Sequence, residues 1–311
     1  MAELKIEFLG INFPNPFILP SGIINEISEH KRAIEAGAGG VTLKSLTYKR
    51  REGNPLPRVW KYDCGVINSV GLRNAGIING SKEIANFLEE NKNKGTPIIV
   101  SLFATKIKEF LFLVEKIVTI KPHFIELNLS CPNVEDEFGE CLGMSSKVAN
   151  KVIKEVKKIS SDIPILAKLS PNVSNIAEIA KGCEDGGADG IVAINTVGPG
   201  MIIDINKKKP VLGAKKGGVS GPGIFPIAVR CVYEIYEAVK IPIIGMGGVT
   251  KWQDVVQMMM AGATLVGVGT ATYLKGIKVY DELKLGLSEY IDKTGIKNLK
   301  DLVGVAHKNQ G

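Results

Sequence analysis

Eight short apolar runs recur along the chain, each followed by a stretch with helical periodicity, and this alternation restricts the fold more than any other feature. The runs fall at 17–21, 40–45, 97–103, 124–130, 164–169, 190–196, 241–245 and 265–270. The helical patterns fall at 26–36, 81–91, 107–120, 146–159, 175–185, 224–239, 252–261 and 279–293. Continuous apolar runs suit parallel strands buried on both faces, and amphipathic segments between them suit crossover helices. An open doubly wound sheet also alternates in this way, but does not usually reach eight units in one compact chain. The expected fold is therefore α/β, a (β/α)8 TIM barrel. The 311 residues fit one such domain, 1–311, with insertions.

Three segments interrupt the rhythm: 47–80 after strand 2, 131–144 after strand 4 and 197–221 after strand 6. All three leave the C-terminal ends of strands, the face on which barrels of this kind build their sites. Long connections of this sort are usually functional lids or disordered.

Composition narrows the class. Hydrophobic residues make up 45% and charged residues 23% of the chain, which suits a globular protein. Net charge is +7, yet the lysines are scattered apart from Lys207-Lys208-Lys209 and Lys215-Lys216, and no aromatic residues interleave with them. That pattern argues against nucleic-acid binding. The five cysteines (Cys64, Cys131, Cys141, Cys183 and Cys231) form no C-x-x-C pair, which argues against a disulfide framework or an iron–sulfur cluster held by this chain. The N-terminal residues carry Glu3, Lys5 and Glu7 and do not read as a signal peptide. With no long apolar run, the expectation is a soluble, cytoplasmic protein without a membrane role.

Polar residues collect where the apolar strands end. Strand 2 ends at Lys44-Ser45, strand 4 at Asn128-Leu129-Ser130-Cys131-Pro132-Asn133, and strand 6 at Asn195-Thr196; strand 5 carries Lys168 and is followed by Asn172. In a barrel these ends converge on one mouth. The set contains neither a histidine nor a carboxylate cluster, so a metal site or a Ser-His-Asp hydrolase is not expected. Neutral amides, two ammonium groups and one thiol remain. Amides both donate and accept, and can read a planar ring of alternating C=O and N–H groups. The last two strands end in Gly245-Met246-Gly247-Gly248 and Gly269-Thr270, suited to a phosphate cradle after strands 7 and 8. Neither is the G-x-G-x-x-G unit of a dinucleotide fold. A mononucleotide-type cofactor is expected.

Glu126-Leu127-Asn128-Leu129-Ser130-Cys131-Pro132-Asn133 resembles the signature of the dihydroorotate dehydrogenase family. Asn68-Ser69-Val70-Gly71-Leu72-Arg73-Asn74, Gly217-Gly218-Val219-Ser220-Gly221-Pro222 and Gly245-Met246-Gly247-Gly248 reinforce it, in family order. The resemblance implies FMN, one per chain, and oxidation of dihydroorotate to orotate in de novo pyrimidine synthesis. It implies Cys131 as the base that removes the C5 proton while hydride leaves C6 for flavin N5. By matching position, Asn68, Ser69, Asn128, Asn133, Asn195 and Thr196 would contact the pyrimidine. Lys44 and the Val70-Gly71-Leu72 backbone would meet the substrate carboxylate. Ser21, Gly22, Lys44, Ser45, Asn128, Lys168, Gly221, Gly247, Gly248, Gly269 and Thr270 would hold the flavin and its phosphate. Cys141 shares the segment after strand 4 and is the one rival base.

A cysteine at position 131 and the absence of an amphipathic N-terminal extension resemble the soluble class 1 enzymes. The stretch after the cysteine, Val134-Glu135-Asp136-Glu137-Phe138-Gly139, lacks the Pro-Gly-Lys-Pro hallmark of the homodimeric, fumarate-reducing 1A group. Arg51-Glu52-Gly53-Asn54-Pro55 and Pro242-Ile243-Ile244 are more similar to 1B catalytic subunits. Such subunits form a homodimer, or a heterotetramer with an electron-transfer subunit that carries FAD and a 2Fe-2S cluster and reduces NAD⁺. The acidic 135–140 segment departs from the 1B pattern and leaves the electron acceptor open. A dihydropyrimidine dehydrogenase-like subunit shares Asn-Leu-Ser-Cys-Pro, but the 68–74 stretch is of the dihydroorotate type. A tRNA dihydrouridine synthase would bring an RNA-binding domain after the barrel. A non-catalytic flavin-binding subunit is the alternative outside enzymology.

Overall fold

In the computed structural model, which describes residues 3–130 and 145–308, each apolar run becomes a strand of one closed parallel barrel. The strands are β1 (Phe17–Leu19), β2 (Gly40–Thr42), β3 (Ile98–Leu102), β4 (Phe124–Asn128), β5 (Ile165–Lys168), β6 (Gly190–Ala193), β7 (Ile243–Met246) and β8 (Ala263–Gly267). Hydrogen bonding runs around the ring in chain order, and β8 closes on β1 through Val266↔Phe17 and Gly267↔Ile18. Nearly every strand residue is buried. Parallel strands covered on both faces have no solvent side, so the alternation of a half-exposed strand never develops.

The helices are α1 (His30–Glu35), α2 (Ile77–Asn91), α3 (Ile107–Val118), α4 (Ser146–Lys157), α5 (Ile176–Asp185), α6 (Phe225–Ala238), α7 (Trp252–Met260), α8 (Thr270–Lys275) and α9 (Val279–Thr294). Each long helix turns one apolar stripe inward. In α4, for example, Val148, Ala149, Val152, Ile153 and Val156 are buried at i, i+1, i+4, i+5 and i+8 while its lysines face out. Side-chain caps start several helices. Ser145 Oγ accepts from Val148 N at 3.5 Å, and Asn175 Oδ1 accepts from Glu178 N at 3.1 Å.

Three boundaries differ from the sequence expectation for physical reasons. Helix α2 begins at Ile77, within the stretch read as insertion, because Asn74 ends the loop: its Oδ1 accepts from Gly76 N at 2.8 Å and Thr47 N at 3.2 Å. Helix α1 is shorter than 26–36, since residues 26–29 form turns that lead into it. The eighth strand ends at Gly267, and Thr270 opens the short α8, which stops at Gly276 with φ +80°.

A hairpin, Ile6–Phe8 with Ile11–Phe13, precedes β1. Leu9 and Gly10 both have positive φ, the geometry of a two-residue primed turn. Its Phe8 and Phe13 meet Phe124 at the start of β4, with ring centroids 5.8 and 6.0 Å away. Phe13 also lies under Gly40, and Phe8 under Gly190, at the starts of β2 and β6. The hairpin therefore seals the N-terminal end of the barrel. Phe13→Leu is expected to lower stability by about 2 kcal/mol, from lost aromatic pairing and imperfect repacking. Urea unfolding should show a lower midpoint with an unchanged slope, and ligand affinity at the opposite end should not move.

The segments after β2 and β6 fold together. Val197–Gly200, Gly217–Ser220, Gly65–Asn68 and Val59–Tyr62 pair in that order as an antiparallel sheet. Ile67, Val211 and Leu212 form a small core beneath it. The segment read as the insertion after strand 4, 131–144, lies outside the described residues.

Candidate active site

The C-terminal ends of β1, β2, β4, β5 and β6 bring the sequence-predicted polar residues to one mouth. Lys44 and Lys168 are 6% and 4% exposed, so two ammonium groups are held in a largely dehydrated place. Lys168 Nζ donates to Ser21 Oγ at 3.1 Å and lies 3.8 Å from Glu126 Oε1. Ser21 Oγ in turn donates to Glu126 Oε1 at 3.3 Å. Burial pushes the Lys44 ammonium down to about 8, with Lys168 and Arg73 adding repulsion. Ser45 follows Lys44 and shares a 2.8 Å hydrogen bond with Ser101 Oγ of β3.

The amides form a connected chain. Asn128 Oδ1, at the end of β4, accepts from Ser130 N at 3.2 Å and from the Ser130 hydroxyl. Asn195 Nδ2, after β6, donates to Ser130 Oγ. Asn195 Oδ1 accepts from Thr196 N at 2.9 Å, and Asn172 Nδ2 donates to the Thr196 carbonyl at 3.1 Å. Three strand ends are thus tied by side chains that retain further donors and acceptors. A cis peptide joins Ala193 to Ile194, just before Asn195.

The antiparallel sheet adds a wall. Asn68 pairs in register with Gly218, and its Nδ2 donates to the Gly218 carbonyl at 3.4 Å. A Cβ on Gly218 would overlap Thr196 Oγ1 and Cβ, so only glycine lets this strand approach the end of β6. Gly218→Ala is expected to displace Thr196 and, through it, to weaken several-fold the binding of the small ring ligand that the amides would receive; calorimetric titration checks this. Beyond Asn68, Ser69 N donates to the Arg58 carbonyl at 2.8 Å and Val70 O accepts from Asn54 N at 3.1 Å. Gly71 and Leu72 are both left-handed, at φ +75° and +55°. For Leu72 this is strained by about 1–2 kcal/mol. Its carbonyl accepts from Asn74 Nδ2 at 2.7 Å, which helps hold the turn.

The residues read as a phosphate cradle come together as well. A Cβ on Gly248, where φ is +79°, would stand 2.7 Å from the Gly221 carbonyl, and one on Gly221 would stand 3.3 Å from Thr270 Cγ2. Gly247 packs against Ala228 and Ile194, and Gly269 against Ile23 and Pro20. Gly22 follows Ser21 at φ +87° with open space around it. Without side chains the backbones of Gly221 and Gly248 approach closely beside Thr270, the kind of glycine-rich turn whose N–H groups can converge on an anionic group. Cys131, Asn133 and Cys141 lie outside the described residues.

Several residues at this mouth were not singled out by sequence reasoning. Glu126 reads as one more member of a motif, although a carboxylate inside Phe-Ile-Glu-Leu was a usable signal. Arg73 reaches a cavity of about 200 Å³ lined also by Lys44, Arg51, Asn74 and Glu26. Among the described residues no group of three His, Cys, Asp or Glu side chains is placed to hold a metal ion, and no helix is long and apolar enough to cross a membrane.

A (β/α)8 barrel that gathers amides, two buried lysines and glycines at one mouth has the form of an enzyme with a polar ligand site. The comparisons specify which. The dihydroorotate dehydrogenase family profile matches residues 3–291. The dihydroorotate dehydrogenase B (NAD(+)) catalytic subunit of Pyrococcus furiosus is 43% identical over 309 residues, covering 98% of this chain and 99% of the relative. Its counterparts from Pyrococcus horikoshii and Caldicellulosiruptor bescii are 42% and 41% identical; each alignment covers at least 97% of this chain and 98% of the relative. The chain belongs to the dihydroorotate dehydrogenase family, flavin-dependent oxidoreductases of pyrimidine synthesis.

Proposed function

We propose that this chain is the FMN-carrying catalytic subunit of a class 1B dihydroorotate dehydrogenase, a single-barrel protein of the cytoplasm. One observation carries the reading: the amide chain Asn128–Ser130–Asn195–Thr196 stands at the same mouth as two buried lysines. Orotate, a flat ring, and dihydroorotate, its puckered dihydro form, share an imide edge and one carboxylate, and they ask for these two kinds of partner.

The residues fit a flavin mononucleotide. Gly221, Gly247, Gly248, Gly269 and Thr270 would hold its phosphate, and Ser21, Gly22, Ser45, Asn128 and Lys168 its ring. When bound, FMN supplies the acceptor for the hydride that leaves C6 of the substrate. The remaining work belongs to side chains. Asn68, Ser69, Asn128, Asn133, Asn195 and Thr196 hold the pyrimidine by its imide edges, which fixes C5 and C6. Lys44, with the Val70-Gly71-Leu72 backbone, binds the carboxylate. Cys131 removes the C5 proton; a thiol titrates far closer to neutrality than a serine hydroxyl and suits a base at this step.

The electrons then pass to a partner subunit carrying FAD and a 2Fe-2S cluster and on to NAD⁺, in keeping with the relatives' description as NAD(+) catalytic subunits. The working assembly is a heterotetramer built on a homodimer of this chain. Two measurements test the proposal. Cofactor released from the purified chain should be FMN, and the chain alone should oxidise dihydroorotate with an artificial dye but not with NAD⁺. Flavin-loaded protein with no dye-linked turnover would leave a non-catalytic flavin carrier instead. Failure of an FAD- and cluster-bearing subunit to co-purify would remove the NAD⁺ route.

A further inference from the structure

Glu126 has no part in the function proposed above, yet it is a carboxylate buried in the barrel wall. It sits in the middle of β4, 1% exposed, with Ser101 and Leu166 as its register neighbours on β3 and β5. Placing a carboxylate there carries a large desolvation cost before any partner is counted. An apolar side chain of similar size would serve the fold as well or better. What the carboxylate does have is an address: Lys168 Nζ at 3.8 Å and the Ser21 hydroxyl at 3.3 Å, while Lys168 and Ser21 are themselves 3.1 Å apart. The triangle joins three separate strands, the end of β1, β4 and β5.

A second buried ammonium, Lys44, repels Lys168 across the mouth. Glu126 is the carboxylate that stands against this repulsion, on the Lys168 side. A salt bridge retained at a net cost to stability is best explained by what it holds in place.

We propose that Glu126 is a positioning residue which, with Ser21, pins the Lys168 ammonium to one point of the barrel mouth so that a fixed positive charge faces the flavin ring. The inference rests on the flavin reading given above. The reduced ring carries more negative charge than the oxidised ring, so a fixed cation beside it favours the reduced form. A lysine free to move, or neutral, favours it less.

The test compares FMN reduction potential and sulfite affinity, which respond to charge near the ring without needing turnover. In Glu126→Gln, FMN should still bind one to one. The preference for reduced over oxidised FMN should fall about tenfold, or about 30 mV for a two-electron couple. Sulfite affinity should fall with it. In a Lys168→Met background the same substitution should have no further effect, because Glu126 acts through Lys168. Ser21→Ala, a change at the mouth that leaves the core intact, should shift the potential in the same direction by less, and it carries the test if Glu126→Gln does not fold. An unchanged potential in both single variants would reduce Glu126 to a structural role. A raised potential in Glu126→Gln would mean that its charge acts directly on the ring, and would overturn the proposal. A wild-type chain that takes up no flavin would overturn this inference together with the function on which it rests.

Discussion

Replacing Cys131 with alanine is expected to slow reduction of the bound flavin by dihydroorotate about 10²–10⁴-fold near neutral pH, the range over which a positioned general base contributes. Orotate affinity and flavin content should stay close to wild type, because most of the residues proposed to hold both come from other strand ends. Rapid-mixing absorbance of the flavin under anaerobic conditions reads the step directly, without the partner subunit or the final acceptor. Wild-type rates in the variant would move the role to another group, with Cys141 the first to test.

The second large effect is expected at Lys44. If Lys44 receives the substrate carboxylate as proposed, removing its ammonium from a dehydrated site costs about 2–4 kcal/mol, so Lys44→Met should weaken orotate binding roughly 30- to 900-fold. The wild-type pH dependence provides an independent check. Burial, then repulsion by Lys168 and Arg73, bring Lys44 down to about 8 from 10.5. In the free protein the ammonium is present below that value and lost above it. Orotate affinity should be flat below about pH 8 and fall by up to tenfold per pH unit above it. The stability of the free protein should change the other way. Between about 8 and 10.5 the unfolded chain binds a proton that the folded chain does not, so this lysine makes stability rise with pH across that window. Arg73→Gln removes part of the repulsion and should move the break in the affinity profile upward. A profile without a break, or one unchanged in Lys44→Met, would show that another group receives the carboxylate.

The barrel was legible because its strands are buried on both faces. Runs such as Ile98–Leu102 and Ile243–Met246 announce themselves by apolar content alone, and the helices between them by their stripes. The antiparallel sheet over the mouth was not legible. Val197–Gly200 is Val-Gly-Pro-Gly, which no propensity assigns to a strand; it is one because Gly217–Ser220 pairs with it and, on the other side, with Gly65–Asn68. Those pairings are set by tertiary packing, which a local window does not contain. The N-terminal hairpin is not legible either, although Ile6-Glu7-Phe8 alternates, because strands of three residues are too short for a periodicity to stand out.

The same division applies to the site. Lys44, Asn128, Lys168 and Asn195 stand out as polar residues closing apolar strands, and they do meet. Glu126 does not stand out, because its partners are remote: Ser21 is 105 residues away in sequence. Only closure of the barrel brings them to one point. Gly218 likewise reads as part of a glycine-rich connection until Thr196 is found against it.

Dihydroorotate is expected to deliver its electrons to a flavin held by this chain. Anaerobic titration of the purified chain with dihydroorotate tests it most directly, with flavin absorbance and orotate formation followed together. The expected result is bleaching of one flavin per chain with one orotate formed for each. A flavin that dithionite reduces but dihydroorotate leaves fully oxidised would contradict the account.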